Sequence, residues 1–212
     1  MFITFEGLDG AGKSTQIARL KERLSQLGIA VVMTREPGGT AIGDDLRKML
    51  LDPGQTRLAQ ATEALLYAAS RAQLLYEVIR PALDKGALVI CDRYVDASIA
   101  YQGAGLGLGE ESVARVNAFA TGGLTPDLTL LMDLPVQTSQ SRVAQSLRNE
   151  GPDRIEQRDG AYFERVRAAF IRIAEKEADR VVVLDASETP EVLEQEIWHH
   201  VSKRLNIITG EK

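Results

Sequence analysis

Gly7, Gly12, Lys13 and Ser14 fall at the spacing G-x-x-x-x-G-K-[ST], within the run Gly7, Leu8, Asp9, Gly10, Ala11, Gly12, Lys13, Ser14 and Thr15. A loop of this kind turns backbone N–H groups toward a polyphosphate, and glycines admit both the close approach and the positive φ it needs. Lys13 would reach the β- and γ-phosphates, and the Ser14 hydroxyl would ligate Mg²⁺. A chance match is expected once in ~100 chains of this length. An apolar β-type run before the loop and apolar residues at helical spacing after it (Ile17, Leu20, Leu24) make chance rarer still. The chain is therefore expected to bind a nucleoside triphosphate.

A second centre is Asp92, Arg93 and Tyr94. An acid here can hold the water shell of Mg²⁺ near Ser14, and the adjacent guanidinium can grip a phosphoryl group with its planar fork. The alternative is a structural Asp–Arg pair at a strand end. Further arginines recur at loop edges: Arg35, Arg47, Arg71, Arg142, Arg148 and Arg154. Phosphoryl transfer between two anionic substrates relies on positioned cations, although any one surface arginine is more often merely solvated. Tyr67 and Arg71 are four apart on a helical stretch and share a face, which suits a planar base but equally suits ordinary helix packing.

Those residues need a frame. Apolar, β-branched runs at 2–6, 29–34, 87–92, 128–133 and 181–185 alternate with helical patterns at 13–27, 40–51, 58–85, 110–121, 136–147, 161–177 and 190–205. The alternation predicts an α/β fold, a five-stranded parallel sheet with helices on both faces, whose ligands lie at the carboxyl ends of the strands. Thr189 and Pro190 read as the cap and first position of the last helix, and Pro81 as a bend in the long third helix. Residues 149–154 break a helical pattern, as a mobile lid would.

At 212 residues the chain suits one domain. No apolar run approaches the ~20 residues of a membrane span, and no signal peptide is visible. The single cysteine, Cys91, lies in an apolar run and reads as core in a reducing compartment; a cytoplasmic location is expected. His199 and His200 are adjacent, an arrangement poorly suited to a shared metal. The net charge of −5 argues against general nucleic-acid binding.

The chain resembles the thymidylate (dTMP) kinases over nearly its whole length. The resemblance rests on FEGLDGAGKST at 5–15, TREPGGT at 34–40, SRAQ at 70–73, DRY at 92–94, SIAYQG at 98–103, PD at 126–127 and DRIE at 153–156. It implies the P-loop NTPase fold with a small lid near 142–156, and transfer of phosphate from ATP to dTMP with Mg²⁺ in a homodimer. Residues 7–15 would then hold ATP, with Ser14 and Asp92 toward the metal and Lys13, Asp92, Arg93 and a lid arginine in catalysis. Asp9 would approach the sugar 3′-hydroxyl of dTMP, and Arg93, with Arg35 the weaker candidate, would hold its phosphate. Tyr67 would stack on thymine, Arg71 would bond its edge with Ser98 and Gln102 nearby, and Tyr101 would crowd the ribose 2′ side. Some members carry an arginine where this chain has Gly10; members without it draw that charge from the lid, which makes Arg148 the leading candidate ahead of Arg142 and Arg154. Ala97 departs from the serine common in relatives. The rival readings are another P-loop deoxynucleotide or deoxynucleoside kinase, for which Glu36 would be the base, and a regulatory ATPase.

Overall fold

The computed structural model describes residues 1–146 and 151–207. Its five strands, β1 (Phe2–Glu6), β2 (Val31–Arg35), β3 (Leu88–Asp92), β4 (Leu128–Asp133) and β5 (Val181–Asp185), form one sheet in the order β2-β3-β1-β4-β5. Every pairing is parallel. β1 is central and buried along its whole length, which is why Phe2–Glu6 reads as a continuous apolar run broken only by Thr4 and a terminal acid.

Helices cover both faces. On one side α1 (Lys13–Gln26) and α9 (Pro190–Arg204) send Ile17, Leu20, Leu24, Ile197 and Val201 against Ile3 and Phe5. On the other side α8 (Gly160–Lys176) packs Val166 and Phe170 near Leu131 and Val181. The end of α3 (Gln60–Leu74) and the turn after it bring Leu74 and Ile79 to Phe2 and Val89. Between these lie α2 (Ala41–Leu51), α4 (Arg80–Asp84), α5 (Val95–Ser98), α6 (Glu110–Thr121) and α7 (Val136–Ser146). Thr40 and Thr189 cap α2 and α9, their hydroxyls accepting from Gly43 and Val192 N–H. The architecture is the expected one, with local differences that have plain causes.

The strand read at 29–34 begins two residues later. Ile29 still belongs to the end of α1, its N–H bonding the carbonyl of Leu24 across Gly28, which adopts φ +73. The stretch read as one helix at 58–85 changes pitch before Pro81: a π-helical turn at Leu75–Ile79 precedes α4, so the wider turn falls where proline offers no N–H. A helical segment absent from the sequence reading joins β3 to α6, α5 running on into a π-helical turn at Ile99–Gly105. Nearly all of it is buried, including Ala97, Ala100, Tyr101, Gln102 and Gly105, so no amphipathic period exposes it. Gly105 is required by packing, since a Cβ there would lie 2.5 Å from the Tyr162 ring. Of the expected lid, Arg148 lies outside the described residues.

Candidate active site

The carboxyl ends of β1 and β3 are in register, Phe5 beside Asp92, so the loop after β1 and the turn after β3 meet. Gly7 turns the chain at φ +123 under the sheet edge, where a Cβ would sit 2.3 Å from the Met132 carbonyl oxygen. No other residue fits there. The loop then feeds α1 through Gly12, and Lys13 folds back over it, its Nζ donating to the carbonyls of Leu8 at 2.9 Å and Gly7 at 3.2 Å. Burial and the neighbouring Arg93 charge pull the Lys13 ammonium below its ordinary pKa.

Arg93 sits at φ +71, outside the region that side chains prefer, and its guanidinium donates to Gly7 O at 2.8 Å and to Asp9 Oδ1 at 2.7 Å. It also lies over the Tyr101 ring, 5.0 Å from the centroid. Enclosure opposes ionisation of Asp9, but Arg93 and Lys13 outweigh it and hold the carboxyl down at about 2. Lys13, Ser14, Asp92, Arg93 and Arg35 line one cleft of about 580 Å³ beside the glycine loop. The Asp92 Oδ1 atom is buried and, among the described residues, has no hydrogen-bond partner. A hydroxyl and an unpartnered carboxylate oxygen on one phosphate cleft are donors that suit a hydrated Mg²⁺.

A second cavity opens from the same point. Asp9 and Arg93 line it together with Tyr67, Arg71, Ser98, Tyr101 and Gln102. The sequence-predicted base and sugar residues are thus brought together, although they come from α3, α5 and the π turn. Arg71 is buried to 1% exposure and heavily engaged. It pairs with Glu36, donates to Ser98 Oγ and the Tyr94 carbonyl at 3.0 Å each, and contacts Asn117 Oδ1. Its Nε–H is buried and, among the described residues, unpartnered. Burial pushes the Glu36 carboxyl up to about 7 even though Arg71 pulls it down.

Arg35 does not reach this second cavity. Its side chain is 58% exposed, 3.6 Å from Asp44, and lines the phosphate cleft instead. Arg47, which donates to the Pro37 carbonyl at 3.1 Å, lines both. Two residues of consequence escaped the sequence reading. Asn117 holds Arg71 from α6, and its signal was a polar side chain on the stripe Val113, Asn117, Thr121, all buried. Glu63 is a buried acid one turn before Tyr67 that accepts from Arg158 at 2.6 Å, Arg154 at 2.7 Å and Gln102 at 3.1 Å. Arg154 is therefore tied to α3, whereas Arg142 bridges the carbonyls of Gly10 at 3.2 Å and Ala186 at 3.1 Å.

Comparison with known proteins gives one consistent result. A family model described as Thymidylate kinase matches residues 5–197. A thymidylate kinase of Deinococcus radiodurans is 50% identical, over 96% of this chain and 97% of its own length. Thymidylate kinases of an Exiguobacterium species and of Latilactobacillus sakei are 47% and 48% identical, covering 97% and 90% of this chain and 95% and 89% of their own.

Proposed function

The chain belongs to the thymidylate kinase family, and on that premise we propose that it transfers the γ-phosphoryl group of ATP to dTMP, giving ADP and dTDP. The observation that carries this reading is the joining of two cavities at Asp9 and Arg93, one lined by the glycine loop and the other by Tyr67, Arg71 and Tyr101. A phosphate cleft alone would suit any nucleotide hydrolase. A second, partly aromatic cavity opening onto the same guanidinium suits a nucleotide acceptor.

ATP lies along residues 7–15 with its γ-phosphoryl toward Arg93. An oxygen of the dTMP phosphate attacks that phosphorus in line; the new O–P bond forms as the bond to the bridging β-γ oxygen breaks, and the electron pair leaves with ADP. The attacking oxygen is already anionic, so no general base is needed. Lys13 and Arg93 offset the charge spread over the transferring group, and exclusion of water keeps the phosphoryl group from hydrolysis. Ser14 and Asp92 would hold Mg²⁺, which would supply positive charge to offset that of the polyphosphate. Arg148 is the lid arginine the family resemblance favours, because position 10 is glycine; Arg154 is engaged by Glu63, and Arg142 by Gly10 and Ala186.

Asp9 faces the dTMP sugar, and Arg93 holds its phosphate. Tyr67 stacks on the base, Arg71 turns its Nε–H toward the base edge beside Ser98 and Gln102, and Tyr101 selects the deoxy sugar. Arg47 supports the acceptor phosphate better than Arg35, because it borders both cavities. The unit is a cytoplasmic homodimer, each chain one domain with a lid near residues 142–156. A coupled ADP-release assay with dTMP, dUMP, dCMP, dGMP and thymidine tests the reading. Turnover should be greatest with dTMP and negligible without an acceptor; no turnover with dTMP, or equal turnover with thymidine, overturns it.

A further inference from the structure

Glu6 ends the central strand, is fully buried, and makes no ion pair among the described residues. An acid in that position needs a reason. Its Oε1 accepts from the N–H of Tyr94 at 2.7 Å and from that of Ala97 at 3.4 Å. Those are the N-cap and third residues of α5. In the usual capping box, the N-cap and third side chains satisfy each other's N–H groups. Tyr94 and Ala97 carry no side chain able to do so, and one oxygen from β1 serves both. Asp96, the acid of α5 itself, is taken by Arg180 at 2.7 and 2.9 Å.

Arg93 lies immediately before this cap. Its own N–H bonds the Phe5 carbonyl at 2.9 Å, and its guanidinium bonds the Gly7 carbonyl at 2.8 Å. Three consecutive residues, Phe5, Glu6 and Gly7, therefore fix the peptide before Arg93, the peptide after it and the tip of its side chain. A side chain at φ +71 persists only where its surroundings over-determine it. We propose that Glu6 is a positioning residue for phosphoryl transfer: by capping α5 from the neighbouring strand it locks the Arg93 backbone, so that the guanidinium fork meets the phosphoryl groups at the junction of the two cavities.

The kinetic part of this inference rests on the dTMP kinase reading; the backbone part does not. Glu6→Asp draws the oxygen back by one methylene, and Glu6→Gln keeps an acceptor oxygen in reach. Burial and the Asp96 carboxylate push the Glu6 carboxyl up to about 8, so the neutral amide is a close replacement. In Glu6→Asp the Tyr94 and Ala97 amides should exchange with deuterium at least ~10-fold faster, and kcat with dTMP should fall by ~10-fold or more while the KM for ATP stays within ~3-fold. Glu6→Gln should return both readouts to within ~3-fold of wild type, and Glu6→Asp placed on Arg93→Ala should lower kcat by less than ~2-fold further. An unchanged kcat in Glu6→Asp, a full additional loss on Arg93→Ala, or a Glu6→Gln enzyme as impaired as Glu6→Asp would overturn the proposal. If Glu6→Asp does not fold, Glu6→Gln still decides: retained turnover supports capping by an oxygen, and lost turnover refutes it. A wild-type enzyme inactive on dTMP but with Tyr94 and Ala97 amides freed by Glu6→Asp would fail the functional reading alone.

Discussion

Arg93 contributes a charge and a shape to the site, and its contacts separate the two. Its fork spans Gly7 O and Asp9 Oδ1 from a left-handed backbone, an arrangement a flexible ammonium cannot copy. Arg93→Ala should therefore lower kcat with dTMP by about 10³-fold, and Arg93→Lys should recover little of it, as steady-state assays at saturating ATP can measure. A lysine variant within a few-fold of wild type would reduce the role of Arg93 to charge alone. Gly10 has little room for a side chain. Its φ is +76, and a Cβ would meet Ser139 O at 3.0 Å and Arg142 Cβ at 3.1 Å. Gly10→Arg should lose about 1–3 kcal/mol of stability without raising kcat, and a melting temperature equal to wild type would show α7 to be more yielding than its packing implies. Glu36 gives a pH signature. Its carboxyl, pushed up by burial to about 7 from its ordinary 4.5, binds a proton more tightly in the fold, so the native state holds more protons between those values. Stability from this group is present below pH 4.5, is withdrawn as pH rises to about 7, and changes no further above. The wild-type minus Glu36→Gln difference in urea midpoint should fall across that window and be flat beyond it; a pH-independent difference would refute the assignment.

At the scale of elements, legibility follows how each segment is buried. The strands at 2–6, 128–133 and 181–185 are bounded in the sequence as in the fold, because each is an apolar run with polar residues at its end. The glycine loop and Asp92–Arg93 follow the ends of β1 and β3 as the sequence places them, and strand ends in a parallel sheet are where ligands lie. Segment 95–105 was legible as a motif but not as structure, since burial on all sides erases periodicity. Glu63 was illegible altogether, because its partners Arg154 and Arg158 lie some ninety residues away in the chain and no local spacing announces a tertiary ion cluster. That cluster ties the segment after α7 to the helix that carries Tyr67 and Arg71. Removing the acid leaves two guanidiniums facing each other around an enclosed site, with Arg154 and Arg158 only 12% and 18% exposed. Glu63→Ala should cost about 3 kcal/mol, less than a fully sealed pair because both arginines can reach toward water. It should also raise the KM for dTMP, since Gln102 loses its anchor. Denaturant titration and steady-state kinetics check both, and a stability loss below about 0.5 kcal/mol would assign the cluster to the solvated surface.

Over the whole molecule, one sheet edge gathers Lys13, Arg35, Arg47 and Arg93 of a net-negative chain around a shared cleft, a field that would draw anionic substrates. The opposite problem, apolar surface left outside, appears on α3, the turn after it and α6. Phe119 is 93% exposed, Tyr76 76% and Leu65 56%. Phe119 lies on α6, whose buried stripe Val113, Asn117, Thr121 faces inward, so its ring points away from the core. Side chains of this size on one monomer's surface are the kind that meet a partner, and a two-fold pairing would bury each of them twice. With about 1.5–3 kcal/mol per buried phenylalanine, two copies contribute about 3–6 kcal/mol to a proposed homodimer. Phe119→Glu should then raise the dissociation constant by about 10²–10⁴-fold while each chain keeps its fold. Sedimentation of wild type and variant over a micromolar concentration series measures this directly. A wild-type chain that sediments as a monomer at tens of micromolar, or a variant that dimerises as tightly as wild type, would remove α6 from the interface and leave Phe119 an exposed ring with no partner.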